Sequence, residues 1–215
     1  MSQSVALPDS TRERHPWGLY ALFATEMWER FGFYTIAATL TLYLQRGGFG
    51  WTKDQATNLW SYYMMFVYAT PLIGGWLADR VLGYRKSVLI GGVFFVLGYA
   101  LLGLGTQSLF YVALGLIITG NGFFKPNIST MVGNLYPAGS RLKDSAYNIF
   151  YMGINIGAWI APIIAEAMLQ VIVGGDVLEA AKDQKTTALT PDQAASLRAG
   201  FLATFYTAAV GLGIG

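Results

Sequence analysis

The chain has 215 residues, of which 54% are hydrophobic and only 12% charged, with a formal net charge of +2 and a mean hydropathy of +0.44. Soluble domains carry about 25% charged residues, so this composition excludes an ordinary globular enzyme and predicts a polytopic membrane protein. The near-neutral balance gives no electrostatic basis for nucleic-acid binding. The absence of cysteine excludes disulfides, thiolate metal sites and a cysteine nucleophile, and no metal or cofactor is expected. The single His15 precedes Pro16 and reads as a solvated or interfacial residue.

Taken in chain order, residues 1–16 are polar and lack the apolar stretch of a cleavable signal peptide. A membrane helix needs about 20 predominantly apolar residues. On that measure six spans are predicted, at about 17–44, 55–79, 86–106, 109–136, 144–173 and 191–215. The first doubles as the targeting signal. Trp17, Tyr20, Trp51 and Trp60 fall near span ends, where aromatic belts form. Gly47 to Gly50 suits the first turn, and Thr106 to Ser108 makes a very short second one.

The first span holds Glu26, Glu29 and Arg30 within otherwise apolar sequence. Each charge costs roughly 2.5–3.5 kcal/mol near the bilayer centre, so the three need partners inside the protein, and such a cluster reads as a proton relay or substrate pathway. Glu26 and Arg30 are i,i+4 neighbours, Glu29 is i+3 to Glu26, and Tyr34 is i+4 to Arg30, which places all four on one face. Lys125 lies deep in the fourth span, before Pro126. Counted from the span ends at about 1.5 Å per residue, Lys125 and Glu26 fall at similar depth, which predicts an ion pair between them.

At the junction of the second and third spans, Gly74, Gly75, Asp79, Arg80, Gly83, Arg85 and Lys86 combine helix-contact glycines with a basic anchor. Arg12, Arg14, Arg80, Arg85, Lys86, Arg141 and Lys143 fall on one side, which puts that side and the N-terminus in the cytoplasm. The expected organisation is a cytoplasmic tail over 1–16, transmembrane helices one to five over 17–173, an extracytoplasmic loop over 174–190 and a sixth transmembrane helix over 191–215. Thr190, Pro191 and Gln193 form the N-cap, first-turn proline and capping-box pattern that starts it. It then runs apolar to Gly215, so the chain is read as the N-terminal part of a longer protein. Asn127, Ile128 and Ser129 match a glycosylation sequon by accident, being inside a span. Gly153 and Gly157, four apart, read as close helix packing, and Glu166 is placed at the outer end of the fifth span without a role.

The spacing Glu26-x-x-Glu29-Arg30-Phe31-x-x-Tyr34 resembles the first-helix signature of the proton-dependent oligopeptide transporters, the POT family of the major facilitator superfamily. Phe124 to Ser129 resembles the family's fourth-helix motif, Phe150 to Ala158 its fifth-helix motif, and Gly75, Asp79, Arg80 and Gly83 the superfamily's cytoplasmic loop motif. The resemblance covers about residues 17–170; the stretch from about 174 to 198 is unlike the short loop usual there.

The resemblance implies an all-α membrane protein: the six-helix N-terminal bundle of a transporter with at least twelve helices and a peptide cavity between its two bundles. The implied function is proton-coupled symport of di- and tripeptides by alternating access across the cell (inner) membrane, with protons as coupling ion and the C-terminal bundle as partner. It assigns proton coupling to Glu26, Glu29, Arg30 and Lys125, peptide binding to Arg30, Tyr34, Tyr68, Lys125 and Asn155, and the cytoplasmic latch to Asp79, Arg80 and Arg85. Two positions depart from the family pattern: Phe33 lacks the hydroxyl of a frequent tyrosine, and Ala37 stands where many members carry a long polar or basic residue. Alternative readings are a carrier of another anion, such as nitrate or a modified peptide, and a non-transporting half-transporter. Buried ion pairs also serve as structural registry devices, and Tyr68 and Asn155 also suit plain helix packing.

Overall fold

The computed structural model describes residues 14–183 and 189–215, and among them helices are the only regular secondary structure. Six long helices and one short one follow in order: α1 Trp17–Leu42, α2 Lys53–Leu77, α3 Tyr84–Gly103, α4 Gln107–Asn134, α5 Leu142–Val173, α6 Gly175–Lys182 and α7 Pro191–Ile214. Wider π turns extend α1 over Tyr43–Gly48 and α2 over Ala78–Leu82. The long helices match the expected spans to within a few residues at each end.

Local chemistry explains the boundaries. Thr52 and Gln55 close a capping box that starts α2 ahead of its apolar run, and Thr190 and Gln193 do the same for α7, as the sequence pattern predicts. Gly50 and Gly83 take positive φ values of 64° and 77° where the chain must reverse, a conformation in which only glycine is unstrained. Four helices, α3, α4, α5 and α7, are long and apolar enough to cross a membrane. Helix α1 has the length but carries Glu26, Glu29 and Arg30, and α2 opens on Lys53, Asp54, Gln55, Thr57 and Asn58.

Helix α4 packs between α2 and α3, α1 packs on α5, and α7 bridges α3, α5 and α1. Glycines set the closest approaches. A Cβ added to Gly157 would meet the Met27 carbonyl and lie 3.1 Å from Arg30 Cβ, so the predicted Gly153/Gly157 face receives α1. Gly74 on α2 lies directly against the Gly122 carbonyl of α4. Gly74→Ala is therefore expected to destabilise the protein by about 1–3 kcal/mol through forced backbone movement. Gly75→Ala, whose added atom would lie at ordinary contact distance, 3.5 Å from Pro126, is expected to be neutral or better. Thermal unfolding of the two variants side by side checks this.

Two expectations need correction here. The 174–190 segment is not simply a loop: α6 forms within it, burying Leu178 and Ala181. Lys182 Nζ sits 2.6 Å from Glu166 Oε1 on α5, which gives Glu166 a partner; that hydrogen bond holds the Lys182 ammonium above its ordinary pKa. Residues 184–188 of the same segment lie outside the described residues. His15 is not simply solvated: Nδ1 is 2.8 Å from the Tyr136 hydroxyl and Nε2 2.9 Å from Ser145 Oγ, tying the start of α1 to the α4–α5 corner. Trp60 is half-buried and stacks on buried Tyr63 at 5.6 Å, and Trp17 is 86% exposed. Asn127 is buried, its amide donating to the Phe123 carbonyl, so the sequon is inaccessible.

Candidate functional site

The three ionisable residues of α1 are all buried, with Glu26 3%, Glu29 2% and Arg30 6% exposed. Arg30 grips Glu29 through both arms of its fork: Nε donates to Oε2, and Nη2 donates to Oε1 at 2.6 Å. The same Nε lies 3.4 Å from Glu26 Oε1. A bidentate guanidinium–carboxylate pair is the strongest ionic geometry available to side chains. The second carboxylate shares the cation from farther away, and among the described residues Glu26 Oε2, which is buried, has no hydrogen-bond partner. With both carboxylates ionised the trio carries one excess negative charge.

The predicted Glu26–Lys125 ion pair does not form: among the described residues, Lys125 has no carboxylate within 4.0 Å. Depth matching gives height along the bilayer but not the direction a side chain takes around its helix. Arg30, one turn from Glu26 on the same helix, is the partner instead. Lys125 Nζ rests 5.4 Å from the centroid of the Tyr68 ring on α2, a cation–π arrangement.

Tyr68, 64% exposed, stands open beside this half-buried lysine; Tyr34 on α1, 37% exposed, and Asn155 on α5 are exposed as well. Phe33, the departure from the family pattern, is occupied: its ring lies 5.1 Å beneath the Arg30 guanidinium and meets Tyr34 edge-on at 5.2 Å. Ala37 is half-buried. Asp79, Arg80 and Arg85 are all exposed at the α2–α3 corner, with Arg80 stacked on Trp76 at 4.9 Å. Among the described residues they form no ion pair with one another.

Residues the motifs did not single out surround the cluster. Tyr63 and Tyr99 are buried within electrostatic reach of Glu29 and Arg30, and among the described residues the Tyr63 hydroxyl has no partner. Tyr99 packs its ring end on the backbone at Gly32, leaving no room there for a Cβ. Asn121 on α4, 2% exposed, donates from Nδ2 to the Val67 carbonyl at 2.6 Å. The available signal was a polar side chain inside an apolar helix, which needs a partner.

Residues 85–215, more than half of the chain, match the POT family. The chain belongs to that family. An uncharacterised transporter of Bacillus subtilis, YclF, is 45% identical over 161 residues, covering 73% of this chain and 33% of the relative. A di-/tripeptide transporter of Lactococcus lactis subsp. cremoris is 44% identical over 170 residues, covering 75% and 34%. Among solved structures, a peptide transporter POT in complex with alafosfalin superposes with a TM-score of 0.77 at 35% identity, covering 93% of this chain and 37% of that one. A POT family transporter in complex with 5-aminolevulinic acid gives 0.77 at 32% identity, covering 97% and 38%. The chain thus spans about a third of the length of the relatives it matches. These likenesses establish an all-α POT transporter fold, and a transporter family rather than an enzyme family.

Proposed function

We propose that this chain forms the N-terminal bundle of a proton-coupled symporter of di- and tripeptides. In this reading α1 to α5 and α7 cross the cell (inner) membrane with the N-terminus cytoplasmic. The single observation that carries the reading is the charge balance on α1: two buried carboxylates on one guanidinium, beside a lysine that has no carboxylate of its own. The peptide-transporting relatives support the substrate class.

The geometry divides the labour. Lys125, braced on Tyr68, is free to receive a peptide's terminal carboxylate, while the hydroxyls of Tyr34 and Tyr68 and the amide of Asn155 offer hydrogen bonds to its backbone. Lys125 offsets the trio's one excess negative charge, and a peptide carboxylate received there returns the site to one excess. A proton on Glu26 Oε2, the oxygen without a donor, removes the excess while leaving the Glu29–Arg30 fork closed. Proton and peptide carboxylate thus stabilise each other, which is the thermodynamic content of symport. The exposed Asp79, Arg80 and Arg85 are positioned to latch against the opposite bundle on the cytoplasmic side. No cofactor enters this scheme; the proton is the coupling ion.

The test is uptake of dialanine by the full-length protein in proteoliposomes. Accumulation that requires an inward proton gradient is expected. Uptake indifferent to the gradient, or transport of nitrate in place of peptide, overturns the reading.

A further inference from the structure

Helices α2 and α4 each contain an interior proline, Pro71 and Pro126. Proline lacks the N–H that would bond to the carbonyl four residues earlier, so Pro71 strips the Val67 carbonyl of its helical donor and Pro126 strips that of Gly122. Inside a bilayer such carbonyls must be satisfied by neighbouring side chains or helices. The structure places both at one contact. Asn121 Nδ2 donates to the Val67 carbonyl at 2.6 Å, and Gly74 packs directly on the Gly122 carbonyl. Between them, Thr70 Oγ1 donates across the same interface to the Ile118 carbonyl at 3.0 Å.

We infer that Asn121 is a positioning residue: its amide replaces the donor Pro71 lacks, fixes α2 against α4 at this proline pair, and so sets the Lys125–Tyr68 stack. Tyr68 directly follows Val67, whose carbonyl takes the bond, and Lys125 directly precedes Pro126, so both peptide-facing side chains sit at the proline contact. The amide is committed to this bond, since among the described residues Asn121 Oδ1 has no partner. Burying a half-satisfied amide for packing alone costs more than burying a leucine of similar volume. The functional part of the inference rests on the peptide-binding reading given above; the brace itself does not.

The test is a double-mutant cycle in the full-length protein, reconstituted in lipid. Asn121→Leu removes the donor, and Pro71→Ala supplies the missing backbone N–H. Two spin labels, at Tyr62→Cys before the hinge and Val171→Cys on α5, report the position of the outer half of α2 in a background free of other cysteines. Asn121→Leu is expected to broaden or shift the distance distribution and to raise the KM for dialanine several-fold; adding Pro71→Ala is expected to restore both. A single variant that fails to fold while the double variant folds is the same rescue. An unchanged distribution in Asn121→Leu, or a double variant no better than the single, overturns the inference. The distance readout decides this whether or not dialanine is the substrate.

Discussion

Replacing Arg30 with alanine is expected to abolish gradient-driven peptide uptake, a loss of at least about a hundredfold, and to lower stability together with it. Arg30 supplies both hydrogen bonds to Glu29 and the one cationic contact to Glu26, and Lys125 is not close enough to take over either carboxylate. Removing one partner of a buried ion pair costs about 3–5 kcal/mol because the charge left behind is uncompensated. On the folding equilibrium, at about 1.4 kcal/mol per tenfold, that range exceeds a hundredfold. The Phe33 ring would also lose the cation lying over it. Arg30→Lys separates charge from geometry: a compact ammonium keeps the positive charge but cannot close the two-armed fork. It is expected to fold more stably than the alanine variant while transporting poorly. Thermal unfolding and dialanine uptake, measured on both variants, check this; an alanine variant with undiminished uptake contradicts it.

The charged face of α1 was legible in the sequence because three ionisable residues in an apolar span demand an explanation on energetic grounds alone. The helix order followed from hydropathy, and the capping box at Thr190 and Gln193 from residue type and spacing. What stayed hidden depended on azimuth or on tertiary partners. Lys125 matched Glu26 in depth, yet α1 packs chiefly on α5 and α7, and an arginine one turn away on the same helix took the carboxylates. Helix α6 escaped notice because eight residues with Asp176, Glu179 and Lys182 among them resemble a polar loop; its buried Leu178 and Ala181 become visible only with α5 and α7 in place. The Asn121–Val67 bond joins residues 54 apart in sequence. Pro71 announced that a carbonyl lacked its donor but not which side chain would supply one. His15 was misplaced for the same reason: its partners, Tyr136 and Ser145, lie more than a hundred residues away.

The second large effect is expected at Glu26. Glu26→Gln replaces the carboxylate by a neutral group of the same shape, so the Glu29–Arg30 fork keeps both of its bonds and the α1–α5 contact is untouched. With the Glu29–Arg30 fork closed, the trio is then electrically neutral, as it would be in the wild type with a proton on Glu26. Binding and exchange of peptide should therefore survive, whereas accumulation against a gradient needs a site that takes up and releases the proton. Glu29→Gln is a different lesion, because it opens the fork and frees Arg30, and it is expected to lower stability as well.

The most direct measurement compares counterflow of labelled dialanine with its proton-driven accumulation in proteoliposomes carrying full-length Glu26→Gln protein. The account predicts counterflow close to wild type, independent of pH, with gradient-driven accumulation reduced to background. Accumulation that persists with an unchanged pH dependence would show that Glu26 does not carry the coupling proton.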